Sequence, residues 1–116
     1  MTMKVRFTNV LKEKSYPDLT IGNLYQVIGI EADDFRIINN DGAPYLYAAC
    51  LFEIIDPHEP DDWITEFGED GERYAYPAEL NRPGFFEDYF DGDEQTIATF
   101  RHFLAKQQML RAHTSQ

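Results

Sequence analysis

The sequence predicts an α+β fold that is mainly β: a five-stranded barrel, then an extra β-hairpin and a C-terminal α-helix. Three observations carry this. Short β-rich segments separated by Gly-, Asp- and Pro-containing turns fill the first half of the chain. A second Asp-Gly turn follows a break rich in proline and acid. Beyond Gly92 the apolar spacing lengthens from two residues to three and four, the period of a helix.

The elements follow in order. Met3, Val5, Phe7 and Asn9 alternate with Lys4, Arg6 and Thr8, which predicts a strand over residues 3–10. Lys12 to Leu19, with Ser15-Tyr16-Pro17-Asp18, reads as a loop. Thr20 to Ile30 is β-rich, with Gly22 at a turn and Gly29 at a bend or bulge. Phe35 to Asn39 is the next strand. Asn40-Asp41-Gly42 is the strongest hairpin signal, because Asp-Gly tolerates the positive φ of a tight turn. Tyr45-Leu46-Tyr47 returns, Ala48-Ala49-Cys50 turns, and Leu51 to Ile55 closes the sheet. Five short strands with tight connections favour a barrel, which protects its edges by closure.

Residues 3–56 resemble an SH3-like barrel. The resemblance lies in the first strand, the long irregular loop, the Thr20-x-Gly22-x-x-Tyr25-x-Val27 strand, the distal hairpin and the one-turn break before a closing strand. It implies a topology without the familiar proline-rich ligand. The Ala-Leu-Tyr-Asp-Tyr type of opening is missing, no Trp lies in residues 3–56, and Ala48 and Leu51 stand where the groove's Pro and Tyr belong.

Residues 57–116 read as an acidic hairpin and helix packed on that barrel, one compact unit with it. Pro57-His58-Glu59-Pro60-Asp61-Asp62 is a linker by composition. Beyond it, residues 70–80 echo residues 41–51: six of eleven positions agree at an offset of 29, Asp, Gly, Tyr, Tyr, Ala and Leu. Trp63 to Gly68 and Arg73 to Tyr76 are therefore expected to form a hairpin around Glu69-Asp70-Gly71-Glu72. Phe85 to Phe90 looks like a helical turn. Asp91, with Glu94 three residues on, fits a helix start. Ile97, Phe100, Phe103, Leu104 and Gln107 or Leu110 then recur at helical spacing, with Arg101, Lys106 and Arg111 in the later turns. The tail from Ala112 is expected to fray.

The chain carries 21 Asp and Glu against 10 Lys and Arg, a formal net charge of −11. That balance argues against nucleic acid and against an anionic membrane as partner. The charge is uneven. Residues 53–94 hold 15 acids and only Arg73 and Arg82, a net −13, while the rest of the chain is +2. A solvated face would account for such a stretch. Aromatic residues interleaved with the acids point instead to a docking surface, in which aromatics anchor and the charged rim steers. The expected surface comprises Trp63, Tyr74 and Tyr76 as anchors, with Glu66, Glu69, Asp70, Glu72, Glu79, Glu87 and Asp88 supplying charge.

Catalysis finds little support. Cys50 reads as a buried structural thiol with no His near it in sequence. His58, His102 and His113 form no spaced pair of metal-ligand type. Asp88 to Glu94 lacks the Asp-x-Asp-x-Asp-Gly order of a calcium loop. No cofactor and no metal are expected, and no enzyme activity. With a single cysteine, no signal-peptide pattern and no apolar run near the ~20 residues of a membrane span, a cytoplasmic protein is expected.

The overall type is similar to the acidic immunity proteins encoded beside bacterial toxins. That resemblance implies a non-enzymatic, protein-binding inhibitor whose acidic surface meets a basic toxin domain, a nuclease cleft being one such target. The alternative is an SH3-like adaptor or regulatory module that binds a peptide or its own copies.

Overall fold

In the computed structural model, which describes residues 2–10, 12 and 14–114, with side chains of the last helix followed to Gln107, the opening alternation becomes strand β1 (Lys4–Phe7). It stops short of the expected residue 10. Asn9 turns to φ +48, and the Thr8 and Asn9 amides both donate to the Leu51 carbonyl, at 2.9 and 3.2 Å. Strands β2 (Leu24–Glu31), β3 (Asp34–Ile38), β4 (Pro44–Ala48) and β5 (Phe52–Asp56) follow, with a 3₁₀ turn at Ala49–Leu51. Thr20 to Asn23 form a turn rather than the start of β2: the Asn23 amide donates to the Thr20 carbonyl at 3.1 Å and Gly22 holds φ +89. The Cys50 thiol, expected to be buried, is exposed. It is the middle residue of the 3₁₀ turn, whose last residue, Leu51, takes the core position.

The strands pair antiparallel in the order β4-β3-β2-β1-β5. The second hairpin, β6 (Trp63–Phe67) and β7 (Arg73–Pro77), joins the same sheet through β7. β2 is the branch point. Leu24 to Gln26 pair with β1, Ile30 and Glu31 pair with β7, and β3 lies along the opposite side. The register shifts between Val27 and Gly29, which is the bulge the glycine signals.

Val5, Phe7, Tyr25, Val27, Phe35, Ile37, Tyr47, Leu51, Phe52 and Ala75 share one core. The Phe52 ring lies 5.6 Å from Phe7, 6.3 Å from Phe35 and 6.4 Å from Tyr47. Rings from β3, β4 and β5, remote in strand order, thus meet because the sheet curls. No ladder joins β4 to β5 among the described residues, so the architecture is an open antiparallel sheet, mainly β, with C-terminal helices.

The echo at an offset of 29 is repeated in the backbone. β3 and β6, β4 and β7, and the 3₁₀ turns Ala49–Leu51 and Ala78–Leu80 all begin and end 29 residues apart. Their loops bond alike. Asn39 donates to the Ala43 carbonyl and Gly42 to Asn39, both at 3.0 Å; Gly68 donates to Glu72 at 2.8 Å and Gly71 to Gly68 at 3.1 Å. Gly42 and Gly71 hold φ +77 and +82. The Asp41 amide donates to the Asn39 side chain, and the Asp70 amide donates to the Glu72 carboxylate.

Met1–Pro77 is one compact unit and Ala78–Gln116 a second. Helix α1 (Phe85–Phe90) ends at Gly92, φ +87, whose amide donates to Tyr89 while that of Asp93 reaches back to Asp88. This pair of bonds is the Schellman stop, which satisfies the last carbonyls of a helix. Helix α2 (Glu94–Thr114) is capped by Asp93, not by Asp91 as expected. The Asp93 carboxylate accepts the Thr96 amide at 2.9 Å, whereas Asp91 is already spent closing α1. Phe100 and Phe103 are buried on α2, and Phe86 and Tyr89 of α1 pack on Phe100 at 6.0 and 5.1 Å. The side chains of Leu110, Arg111 and His113, and the tail residues Ser115 and Gln116, lie outside the described residues. Among the described residues no helix is long and apolar enough to cross a membrane.

Candidate functional site

The second hairpin gathers the expected site residues of the first unit. Its register pairs Trp63 with Pro77, Ile64 with Tyr76, Thr65 with Ala75, Glu66 with Tyr74 and Phe67 with Arg73. Side chains alternate across a strand, so Trp63, Thr65 and Phe67 share one face with Ala75 and Pro77. Ile64 and Glu66 share the other face with Tyr74 and Tyr76. Trp63 is half-buried and packs on the core. Tyr74 is exposed at the surface beside Glu66. Glu69 and Asp70 are exposed in the loop, where the Glu72 carboxylate accepts the Asp70 amide at 3.1 Å.

Tyr76 is placed differently from an anchor. It is only 7% exposed, and its ring lies on Gly29, where an added Cβ would sit 2.1 Å from Cε1. Its hydroxyl donates to the Glu31 carboxylate and accepts from Arg36 Nε at 2.7 Å. Arg36 also donates to Glu31 at 3.0 Å and to the Pro44 carbonyl at 2.7 Å. Burial is the main cause that pushes the Tyr76 phenol above its usual range, with Arg36 pulling the other way. Tyr47, its counterpart 29 residues earlier, repeats the arrangement. Its hydroxyl donates to Asp18, it accepts from Asn39 at 3.1 Å, and its pKa is likewise raised by burial and then by the Asp18 bond. The sequence signals two equivalent tyrosines; it does not say that both are structural bolts.

The acids divide by what they touch. Glu59 forms a two-armed ion pair with Arg73, one arm at 2.8 Å, so the linker is pinned to β7. The Arg73 bonds hold the Glu59 carboxyl below its ordinary range against a smaller opposing effect of burial. In the second unit, Glu79 accepts from Lys106 at 2.6 Å and Asp88 from Arg82 at 2.9 Å; Glu87 is exposed. Arg82 also donates to Thr96 at 2.6 Å, which straps the α1–α2 junction. The stretch from Asp88 to Glu94 is thus used in ending one helix and starting the next. Among the described residues no ion pair engages Glu66, Glu69 or Asp70.

β6 is the outer strand of this hairpin. Among the described residues it pairs with β7 alone, and Ile64 to Phe67 are all exposed. Phe67 is the most exposed large apolar side chain described, at 70%, and Ile64 stands at 42%. Neither was singled out as an anchor by the sequence. The signal was present in Phe67, an aromatic between Glu66 and Glu69, but its exposure depends on which edge of the hairpin the sheet covers.

Cys50, His58 and His102 are exposed. Among the described residues no group of three His, Cys, Asp or Glu could hold a metal ion. No protein-family model, curated protein or solved structure matches the chain.

Proposed function

We propose that this chain is a non-enzymatic binding protein that inhibits a basic protein partner, and that the partner is a cognate bacterial toxin domain. The observation that carries the reading is the surface of the second hairpin. Exposed Ile64 and Tyr74 stand beside Glu66 on one face, exposed Phe67 stands on the other, and Glu69 and Asp70 lie in the loop between the strands; none of these three acids has an ion-pair partner among the described residues. Residues 57–72 contain seven acids and neither Lys nor Arg. Apolar side chains of this size lose water on docking and supply affinity; the unpaired acids around them favour a cationic partner and speed the encounter. The strand order β4-β3-β2-β1-β5, with its 3₁₀ turn before β5, supports an SH3-like arrangement of residues 3–56 as the platform for this hairpin.

Co-expression with the product of the adjacent gene, followed by stopped-flow binding, tests the proposal. The expected outcome is a stable complex whose on-rate falls steeply between about 50 and 500 mM salt. Glu66→Lys should slow association, and Phe67→Ala should speed dissociation. A neighbour that is not a toxin, together with salt-independent binding, overturns the reading.

A further inference from the structure

We propose that the partner binds by adding a strand to β6, an extended segment that alternates cationic and apolar residues. The inference rests on the docking surface proposed above and specifies how that surface is used. It starts from the ladder. The Gly68 amide bonds the Glu72 carbonyl, and bonded pairs alternate along antiparallel strands. Glu66 with Tyr74 and Ile64 with Tyr76 are therefore the bonded pairs of this hairpin. Thr65 and Phe67 must then turn their N–H and C=O groups away from β7.

The other strand checks the phase. Arg73, opposite Phe67, turns its carbonyl outward to accept the Ala32 amide at 2.8 Å, and Ala75, opposite Thr65, pairs outward with Ile30. On β7 the outward groups are taken by β2 and its following turn. On β6 their equivalents face no strand among the described residues. An edge with open donors and acceptors is a template for one more strand.

Side chains define the occupant. A segment lying along β6 sets alternate residues beside Ile64 and Glu66 on one face, and beside Thr65 and Phe67 on the other. Apolar residues suit the Phe67 face, and Lys or Arg suit the Glu66 face. A second copy of this chain fits poorly. Antiparallel self-pairing about Thr65 would bring Glu69 and Asp70 of each β6 end towards Asp61 and Asp62 of the other, and like charges meeting across strands are destabilising.

The probe is an acetylated, amidated heptapeptide of alternating lysine and valine, titrated into the ¹⁵N-labelled full chain. The expected result is a shift of the Thr65 and Phe67 amides and their slowed hydrogen exchange. The same peptide N-methylated at alternate residues keeps its charge but loses its donors, and should bind roughly tenfold more weakly or worse. Thr65→Pro should do likewise, because proline at an outward-facing position removes no backbone bond to β7, only the side-chain bond that the Thr65 hydroxyl accepts from Arg73 at 3.3 Å. Equal binding of the two peptides overturns strand addition and leaves a charge-driven surface standing. If neither peptide shifts the hairpin, strand addition is overturned; the docking surface itself falls only if Glu66→Lys and Phe67→Ala leave binding of the cognate protein unchanged.

Discussion

The hairpins β3–β4 and β6–β7 share one backbone plan in two surroundings. β3 is paired on both sides, and its Phe35, Arg36 and Ile37 are buried; β6 is paired on one, and Ile64, Thr65 and Glu66 at the equivalent positions are exposed. Both loops carry Asp-Gly, and both returning strands carry Tyr-x-Tyr and end in a 3₁₀ turn closed by a buried leucine. Turn chemistry therefore makes the hairpin. Which strand of the hairpin pairs with β2 decides whether the outgoing strand becomes interior or surface.

The strongest way to break this comparison is to truncate equivalent positions. Phe35→Ala should cost about 3–5 kcal/mol through lost burial and the cavity left behind, whereas Ile64→Ala should stay within about 0.5 kcal/mol. Urea unfolding of the two variants measures both. Comparable losses would mean that β6 is covered in the free protein.

Gly29→Ala attacks the seat of the second hairpin. The new methyl would enter the Tyr76 ring, and overpacking of this kind costs about 1–3 kcal/mol. Amide exchange should quicken along β7 more than along β4. Tyr47→Phe and Tyr76→Phe then sharpen the likeness between the two bolts. Each leaves a carboxylate short of its phenol donor, so each should cost about 1–2 kcal/mol, in similar measure.

The smallest effect is a pH dependence of the second hairpin, through the ion pair that ties Glu59 of the linker to Arg73 of β7. Glu59 is held below its ordinary pKa of 4.5 by Arg73. A depressed folded value stabilises above the unfolded value, and the benefit fades as pH falls through the folded one. From about pH 4.5 downward, the parent should lose stability faster than Glu59→Gln. Parallel acid denaturation curves for the two proteins would refute the role of that pair.

Much of the strand plan was legible because it is local. Alternation, Asp41-Gly42, Asp70-Gly71 and the Gly29 bulge each name their element without reference to distant residues. The helix start was misplaced by two residues because Asp91 and Asp93 flank one glycine, and only the hydrogen bonds show that Gly92 closes α1 before Asp93 opens α2. The site was legible as composition and illegible as geometry. Tyr74 and Tyr76 look alike in sequence, yet both point to the same face, and only Tyr76 meets Gly29, Arg36 and Glu31. Phe67 lies exposed because β2 covers β7, a pairing set by tertiary contact rather than by any nearby residue.

The branching of β2 has a further consequence for aggregation. Past the end of β1, the run Ile28-Gly29-Ile30 would lie beside a bare sheet edge, a combination of β-propensity and low charge that recruits other chains. β7 occupies the end of that edge and passes the role of outermost strand to β6. There Glu66 sits mid-strand, with Asp61 and Asp62 before it and Glu69 and Asp70 after it, charges of the kind that act as gatekeepers. The hairpin thus exchanges an edge of uncharged apolar residues for one set among acids.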